Sequence, residues 1–310
     1  MRYAVGVDLG GTNTRLALVG DAGIVGTRRR HPTEVSRGRE HVLGRLAEAI
    51  LEVTREVPEG GRLVGVGVGV PGVIDHAGGA VVASANFPGW LDVPVAVELT
   101  RRTGLPVSLE NDANAAAVGE ARFGAGRPYD SFVLLTLGTG IGSGIILDRR
   151  LWRGAQGMAG EAGHVTIDSS DTAVPCGCGN RGCAERYASA TAVARMAREA
   201  GLDGNLDAAA VARLAQTGEG PEAEVARGVY RRAGRALGIL AATLVNILNP
   251  RAILIGGGMS EAWDLIEPPL RAELLARAHR PMGETTILAR AALGDDAGIL
   301  GAAGLVLGGT

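Results

Sequence analysis

Residues 3–19 read YAVGVDLGGTNTRLALV, a β-rich run over 3–9, paired glycines at 10 and 11, and a second β-rich run over 14–19. This is a strand, a glycine turn and a returning strand. The device recurs further on, where SFVLLTL at 131–137 leads into Gly138-Thr139-Gly140-Ile141-Gly142 and leaves through SGIILD at 143–148. The two turns begin about 128 residues apart (Gly10 and Gly138). An internal duplication of this kind points to two related α/β lobes rather than one extended sheet.

The segments around the hairpins fit that plan. Over 39–57 the apolar residues Val42, Leu43, Leu46, Ile50, Val53 and Val57 share one helical face, so a helix packs on the first sheet. LVGVGVGV at 63–70 reads as a glycine-spaced strand stopped by Pro71-Gly72, and VSLENDANAAAVGEARFG at 107–124 runs from strand through turn to an alanine-rich helix. The second lobe's largest helix spans 221–248, opened by Pro221 and closed by Asn249-Pro250. AILIGGG at 252–258 is a strand entering a glycine turn, with a helix to about 278, and a last helix over about 296–307 could return to either lobe.

Composition narrows the chemistry. A chain of 310 residues, 46% hydrophobic, 21% charged and with net charge −2, has no basic surplus for nucleic acid or anionic lipid. All 31 basic residues are arginine, with no lysine anywhere. That excludes the lysine-bearing phosphate loop, Schiff-base chemistry and a protein-kinase mechanism. MRYAVGVDLGG at the start lacks the parts of a secretory signal, and no long apolar run suggests a membrane span, so a cytoplasmic protein is expected.

The turns Gly10-Gly11-Thr12-Asn13 and Gly138-Thr139-Gly140 can each bring backbone N–H groups and a threonine hydroxyl to an anion without lysine. Alone, either is also a plain hairpin turn. As a pair they could close on two phosphates of one nucleotide, with Asp8 placed to hold Mg²⁺ through water; its other reading is a turn cap. Gly256-Gly257-Gly258 could lay a ribose or nucleobase against bare backbone, or could only turn the chain. In Glu110-Asn111-Asp112-Ala113-Asn114, Asp112 stands at a strand-to-helix junction, where a carboxylate can cap the helix or accept a proton from an alcohol, with Asn111 beside it.

Every cysteine lies in VPCGCGNRGCAERY at 174–187. Cys176, Cys178 and Cys183 supply three thiolates, and His164, twelve residues before Cys176, supplies a fourth ligand. Four protein ligands make a closed, structural zinc site. Glu161 and Glu185 flank this cluster and suit paired acceptance from sugar hydroxyls, or are solvated surface charge. His164 could bind zinc through one ring nitrogen and donate to a sugar hydroxyl through the other.

With these residues assembled, the sequence resembles the ROK-family sugar kinases (repressors, open reading frames, kinases), most of all their ATP-dependent glucokinases. GHVTIDSSDTAVPCGCGNRGCAE at 163–185 carries the pattern GHx₁₁CxCGxxGCxE without departure, supported by DLGGTNTR (8–15), VGVPG (68–72), SANFPGW (84–90), ENDAN (110–114) and LGTGIGSG (137–144). The resemblance implies an α/β, actin-like ATPase fold of two ribonuclease-H-like lobes with an active-site cleft between them. The expected lobes are 1–115 plus about 297–310, and 116–296. It implies Asp112 as base, with Gly72, Ser84, Asn86, Asn111, Asp112, Glu161, His164 and Glu185 lining a sugar pocket. Asp8, Gly10, Gly11, Thr12, Asn13, Gly138, Thr139, Gly140, Gly257 and Gly258 would hold ATP with Mg²⁺, and His164, Cys176, Cys178 and Cys183 the zinc. The implied reaction transfers the γ-phosphate of ATP to the 6-hydroxyl of glucose. Alternatives are another acceptor (mannose, fructose, N-acetylglucosamine, N-acetylmannosamine) or a non-catalytic sugar sensor. A family repressor would carry an N-terminal helix-turn-helix, for which the sequence before the first strand has no room. The expected assembly is a homo-oligomer, dimer or tetramer.

Overall fold

The computed structural model describes residues 1–308. Strands β1 (Arg2–Leu9) and β2 (Asn13–Gly20) form the antiparallel hairpin, in register from Tyr3 opposite Gly20 to Leu9 opposite Thr14. Short strands β3 (Gly23–Ile24) and β4 (Arg29–Pro32) pair with β2. After helix α1 (Arg39–Thr54), β5 (Arg62–Val70) returns parallel to β1. A small antiparallel sheet of β6 (Val73–Asp75), β7 (Ala80–Ala83) and β8 (Leu91–Val93) follows; its strands of three or four residues are too short to announce themselves by periodicity. Helix α2 (Val95–Thr103) leads to β9 (Val107–Asn111), parallel to β5, and then to α3 (Asp112–Phe123). The large sheet runs β3-β2-β1-β5-β9.

The glycine spacing of β5 is explained by what covers each face. Val66, Val68 and Val70 join Val5, Val7 and Leu9 in the core shared with Leu43, Leu46 and Ile50 of α1 and Leu99 of α2. On the other face the alternate residues are glycines. A Cβ built on Gly6 would stand 2.0 Å from the Ile299 carbonyl oxygen, and one on Gly67 would stand 1.7 Å from that of Ala302. Both oxygens belong to the last helix, over 297–307, which lies directly on the sheet backbone. Gly301 meets Ala115 of α3 in the same way, at 1.6 Å. The last helix therefore returns to the first unit.

A second sheet begins with β10 (Phe132–Leu137) and β11 (Ile141–Leu147), joined by the second glycine turn, with β12 (Arg150–Leu151) paired to β11. The helices that follow are α4 (Glu185–Ala188), α5 (Ala190–Glu199), α6 (Ala208–Thr217) and α7 (Gly220–Leu248). Pro221 opens α7, and Asn249, at φ 45°, closes it in the left-handed conformation. Strand β13 (Ala252–Gly256) runs parallel to β10, and α8 (Trp263–Arg277), α9 (Arg280–Thr285) and β14 (Ile287–Arg290) complete the sheet order β12-β11-β10-β13-β14 before α10 (Ala297–Leu307). No helix among the described residues is long and apolar enough to cross a membrane.

Contacts divide the chain into Met1–Pro128, Gly144–Ala159 and Asp295–Thr310 on one side and Tyr129–Ser143 with Gly160–Gly294 on the other. The expected division at 115/116 would cut α3. The whole helix stays with the first unit because Gly119 and Ala115 pack backbone to backbone on α10.

Candidate active site

In the first unit, β9 ends where α3 begins, and the corner is built from polar residues. Asn111 is the helix cap, its Oδ1 accepting from the amides of Ala113 (2.9 Å) and Asn114 (3.2 Å), while its Nδ2 donates to the Gly72 carbonyl at 3.2 Å. Capping thus falls to Asn111. Asp112 is the first residue of α3, its Oδ1 accepting from the Ala113 amide at 2.9 Å, where the helix N-terminus favours negative charge. Gly72, at φ 125°, lies against Ser84, whose Oγ accepts from the Asn86 amide at 3.2 Å. This segment is held by Phe87 and Trp90, both buried, with ring centroids 4.5 Å apart. Asn86 in turn lies over Gly11, where a Cβ would come within 3.0 Å of the Asn86 carbonyl oxygen. The first unit therefore gathers Gly11, Gly72, Ser84, Asn86, Asn111 and Asp112.

The first glycine turn is braced from behind. Gly10 N–H donates to the Asn13 carbonyl at 3.0 Å, and the buried Thr33 hydroxyl donates to the Gly10 carbonyl at 2.6 Å. Thr12 is exposed. Asp8 takes Arg15 Nε at 3.0 Å and Arg15 Nη2 at 2.8 Å, both on Oδ2, and Arg15 Nη1 reaches Asp295 at 3.1 Å. Burial pushes the Asp8 carboxyl above its ordinary range, against the lowering influence of Arg15. Oδ1, which Arg15 leaves alone, is the atom that could meet a water of hydrated Mg²⁺. Arg15 has a sequence signal, since a zipped hairpin sets it directly opposite Asp8.

In the second unit the two other glycine clusters share one cavity of about 500 Å³. Gly138 and Thr139 form one wall, Gly258 and Met259 another, and Ala208 and Ala212 of α6 a third. Gly138 and Gly258 have open space where a side chain would stand, while Gly257, at φ 78°, is pressed on the Leu137 backbone with 2.4 Å between a built Cβ and its oxygen. Two bare backbone edges facing small apolar side chains form a slot for a flat ring. The α6 wall carried no sequence signal, because alanine has no chemistry to read.

His164, Cys176, Cys178 and Cys183 present ligand atoms that all lie within 4.8 Å of one another. Cys178 Sγ is 3.6 Å from Cys183 Sγ, and Cys176 Sγ is 3.7 Å from His164 Nδ1. Tetrahedral zinc with Zn–S of about 2.3 Å and Zn–N of about 2.0 Å sets edges of roughly 3.8 Å between sulfurs and 3.5 Å between sulfur and nitrogen. The four groups fit that ion. Burial, then the neighbouring sulfurs of Cys178 and Cys176, push the Cys183 thiol up in the absence of a metal.

With Nδ1 turned to the sulfurs, His164 Nε2 faces Glu161, 3.8 Å from its Oε2. Glu185 opens α4 and its Oε2 accepts from the Ile141 amide at 3.0 Å. Gly163 lies against the Ile141 carbonyl, where a Cβ would approach to 2.4 Å. The cysteine loop and the second glycine turn are thus joined on both sides of Ile141. The second unit gathers Glu161, His164, Glu185 and the three cysteines next to Gly138, Thr139 and Gly140.

Comparison with known proteins gives a consistent result. A family model described as the ROK family matches residues 4–308. A glucokinase of Thermotoga maritima is 40% identical over 315 residues, spanning 97% of this chain and 96% of its own. A solved ROK hexokinase from Thermus thermophilus superposes with a TM-score of 0.83 at 36% identity, covering 98% of this chain and 97% of that one. A ROK family glucokinase from Streptomyces griseus, solved in complex with glucose and AMPPNP, has a TM-score of 0.78 at 32% identity, covering 98% of this chain and 99% of that one.

Proposed function

The chain belongs to the ROK family, and from that premise we propose that it is a glucokinase, transferring the γ-phosphoryl group of ATP to the 6-hydroxyl of glucose. The observation that carries the proposal is the hydrogen bond that the Ile141 amide donates to Glu185 Oε2. It makes the loop read as sugar-binding and the turn read as phosphate-binding one continuous piece. Glucokinase relatives of near-full length support the acceptor, and the apolar cavity of about 500 Å³ favours a donor that carries a base over bare polyphosphate.

In this account the base lies against Gly138 and Gly258, and the glycine turns receive the phosphates through backbone amides. Asp8 meets the hydrated Mg²⁺ that accompanies ATP. Glu161, His164 Nε2 and Glu185 accept from and donate to sugar hydroxyls, with Gly72, Ser84, Asn86 and Asn111 completing the pocket. Asp112 takes the 6-hydroxyl proton as that oxygen attacks the γ-phosphorus in line and ADP leaves. Zinc, when bound, supplies no chemistry to the transfer and fixes the loop that carries Glu185. The account further includes a cytoplasmic location and a homo-oligomer, dimer or tetramer, which sizing in solution tests.

The test separates turnover from binding. Asp112→Ala is expected to abolish glucose-dependent ADP release while glucose affinity by calorimetry stays within about tenfold, roughly 1.4 kcal/mol. Turnover near wild type in that variant would remove Asp112 from the role of base.

A further inference from the structure

Glu110 has no place in the reaction as described, yet it is fully buried and heavily bonded. Its Oε1 accepts from the Asn111 amide at 3.0 Å and from Asn114 Nδ2 at 3.1 Å, its Oε2 accepts from Arg153 Nε at 2.6 Å, and His76 Nε2 stands 3.6 Å from Oε1. Burying a carboxylate is costly, and a well-packed apolar residue often serves stability as well or better than a buried ion pair. Stability alone is therefore a poor account of this cluster. Asn114 adds to the cost, because its buried Oδ1 has no partner among the described residues while its amide nitrogen serves Glu110.

The location of the bonds suggests the purpose. Asn111 immediately precedes Asp112 and Asn114 lies two residues after it, so one carboxylate grips the chain on both sides of the base. Arg153 anchors that carboxylate from a separate segment, which is itself closed by the Ala159 amide donating to the Arg153 carbonyl at 2.9 Å. Asn111 adds the tie to Gly72. The β9–α3 corner is fixed by a polar clamp centred on one fully buried carboxylate.

We propose that Glu110, anchored by Arg153, is the positioning residue that holds the base Asp112 in line with its acceptor hydroxyl. The proposal rests on the reading of Asp112 as base. Glu110 moves no proton itself.

The test is Glu110→Gln, which keeps the size and one acceptor oxygen for Asn111 and Asn114 but turns an NH₂ toward Arg153. Turnover is measured per glucose-binding site, counted by calorimetry, so that loss of folded protein does not register as lost kcat. The expected result is a fall in kcat of about 100-fold, the scale of a 1 Å misplacement, with KM for glucose and ATP within about threefold of wild type. Arg153→Lys keeps the charge without the planar fork and is expected to lose about tenfold in kcat. A folded Glu110→Gln with kcat within twofold of wild type overturns the proposal. Should that variant not fold, Arg153→Lys decides, and unchanged kcat per site overturns it equally. Asp112→Asn, measured alongside, separates the two readings. If it too retains turnover, the base assignment has failed; if it is inactive while Glu110→Gln is fully active, only the positioning role has failed.

Discussion

Glu185 is the residue through which the two halves of the second unit's site are expected to be coupled, and Glu185→Ala perturbs it directly. The substitution removes the acceptor of the Ile141 amide, which belongs to a buried residue beside the second glycine turn. A hydrogen bond to a charged acceptor contributes about 1.5–3 kcal/mol. If the bond pre-organises the turn, a nucleotide must supply that free energy when it binds the variant. At about 1.4 kcal/mol per factor of ten, the affinity for a non-hydrolysable ATP analogue should fall by up to about 10- to 100-fold in the absence of any sugar. Glu185→Gln keeps an acceptor oxygen for Ile141, so its nucleotide affinity should stay within about threefold of wild type while its glucose affinity drops. The assay is isothermal titration with the analogue, glucose omitted, on samples of equal zinc content. Unchanged nucleotide affinity in Glu185→Ala would refute the coupling and leave Glu185 a sugar ligand alone.

Other consequences follow from the same geometry. Gly67→Ala drives a methyl group to 1.7 Å from the Ala302 carbonyl oxygen and should cost about 3 kcal/mol or more, read as a lowered denaturant midpoint; an unchanged midpoint would contradict the backbone contact between β5 and α10. Metal analysis should find about one equivalent of zinc, lost in Cys178→Ser together with glucose binding; a metal-free protein that binds glucose normally would contradict the clamp. Glu34, held by His41 first and then Arg45 and Arg37, has its carboxyl lowered from 4.5 to about 2. A depressed acid stabilises the fold above its ordinary range, so the stability gap between wild type and Glu34→Gln should be full above pH 4.5 and close as pH falls toward 2. A gap that widens on acidification would contradict the ion cluster.

Both hairpins were legible because two-residue alternation interrupted by paired glycines has few other meanings. The candidate metal ligands were legible because four such side chains within 20 residues rarely gather otherwise, and the structure brings their ligand atoms within 4.8 Å of one another. Spacing could not assign roles at the β9–α3 corner, where Asn111 and Asp112 are adjacent and either could cap. Only backbone geometry distinguishes them. Glu110 did leave a trace, the one charge within β9, but its partner Arg153 lies 43 residues away and no local pattern links the two. The glycines of β5 showed their spacing but not its cause, which arrives with α10 at the far end of the chain. The alanine wall of the second unit's cavity was invisible for the opposite reason, being indistinguishable from any buried helix face.

The central claim is tested most directly by incubating the purified protein with ATP, Mg²⁺ and each of a panel of hexoses and N-acetylhexosamines, with polyphosphate as a parallel donor, and identifying the products by phosphorus NMR. The account predicts glucose 6-phosphate and ADP, with kcat/KM highest for glucose and for ATP. Glucose binding without phosphorylation, or higher kcat/KM for another acceptor or for polyphosphate, would contradict it.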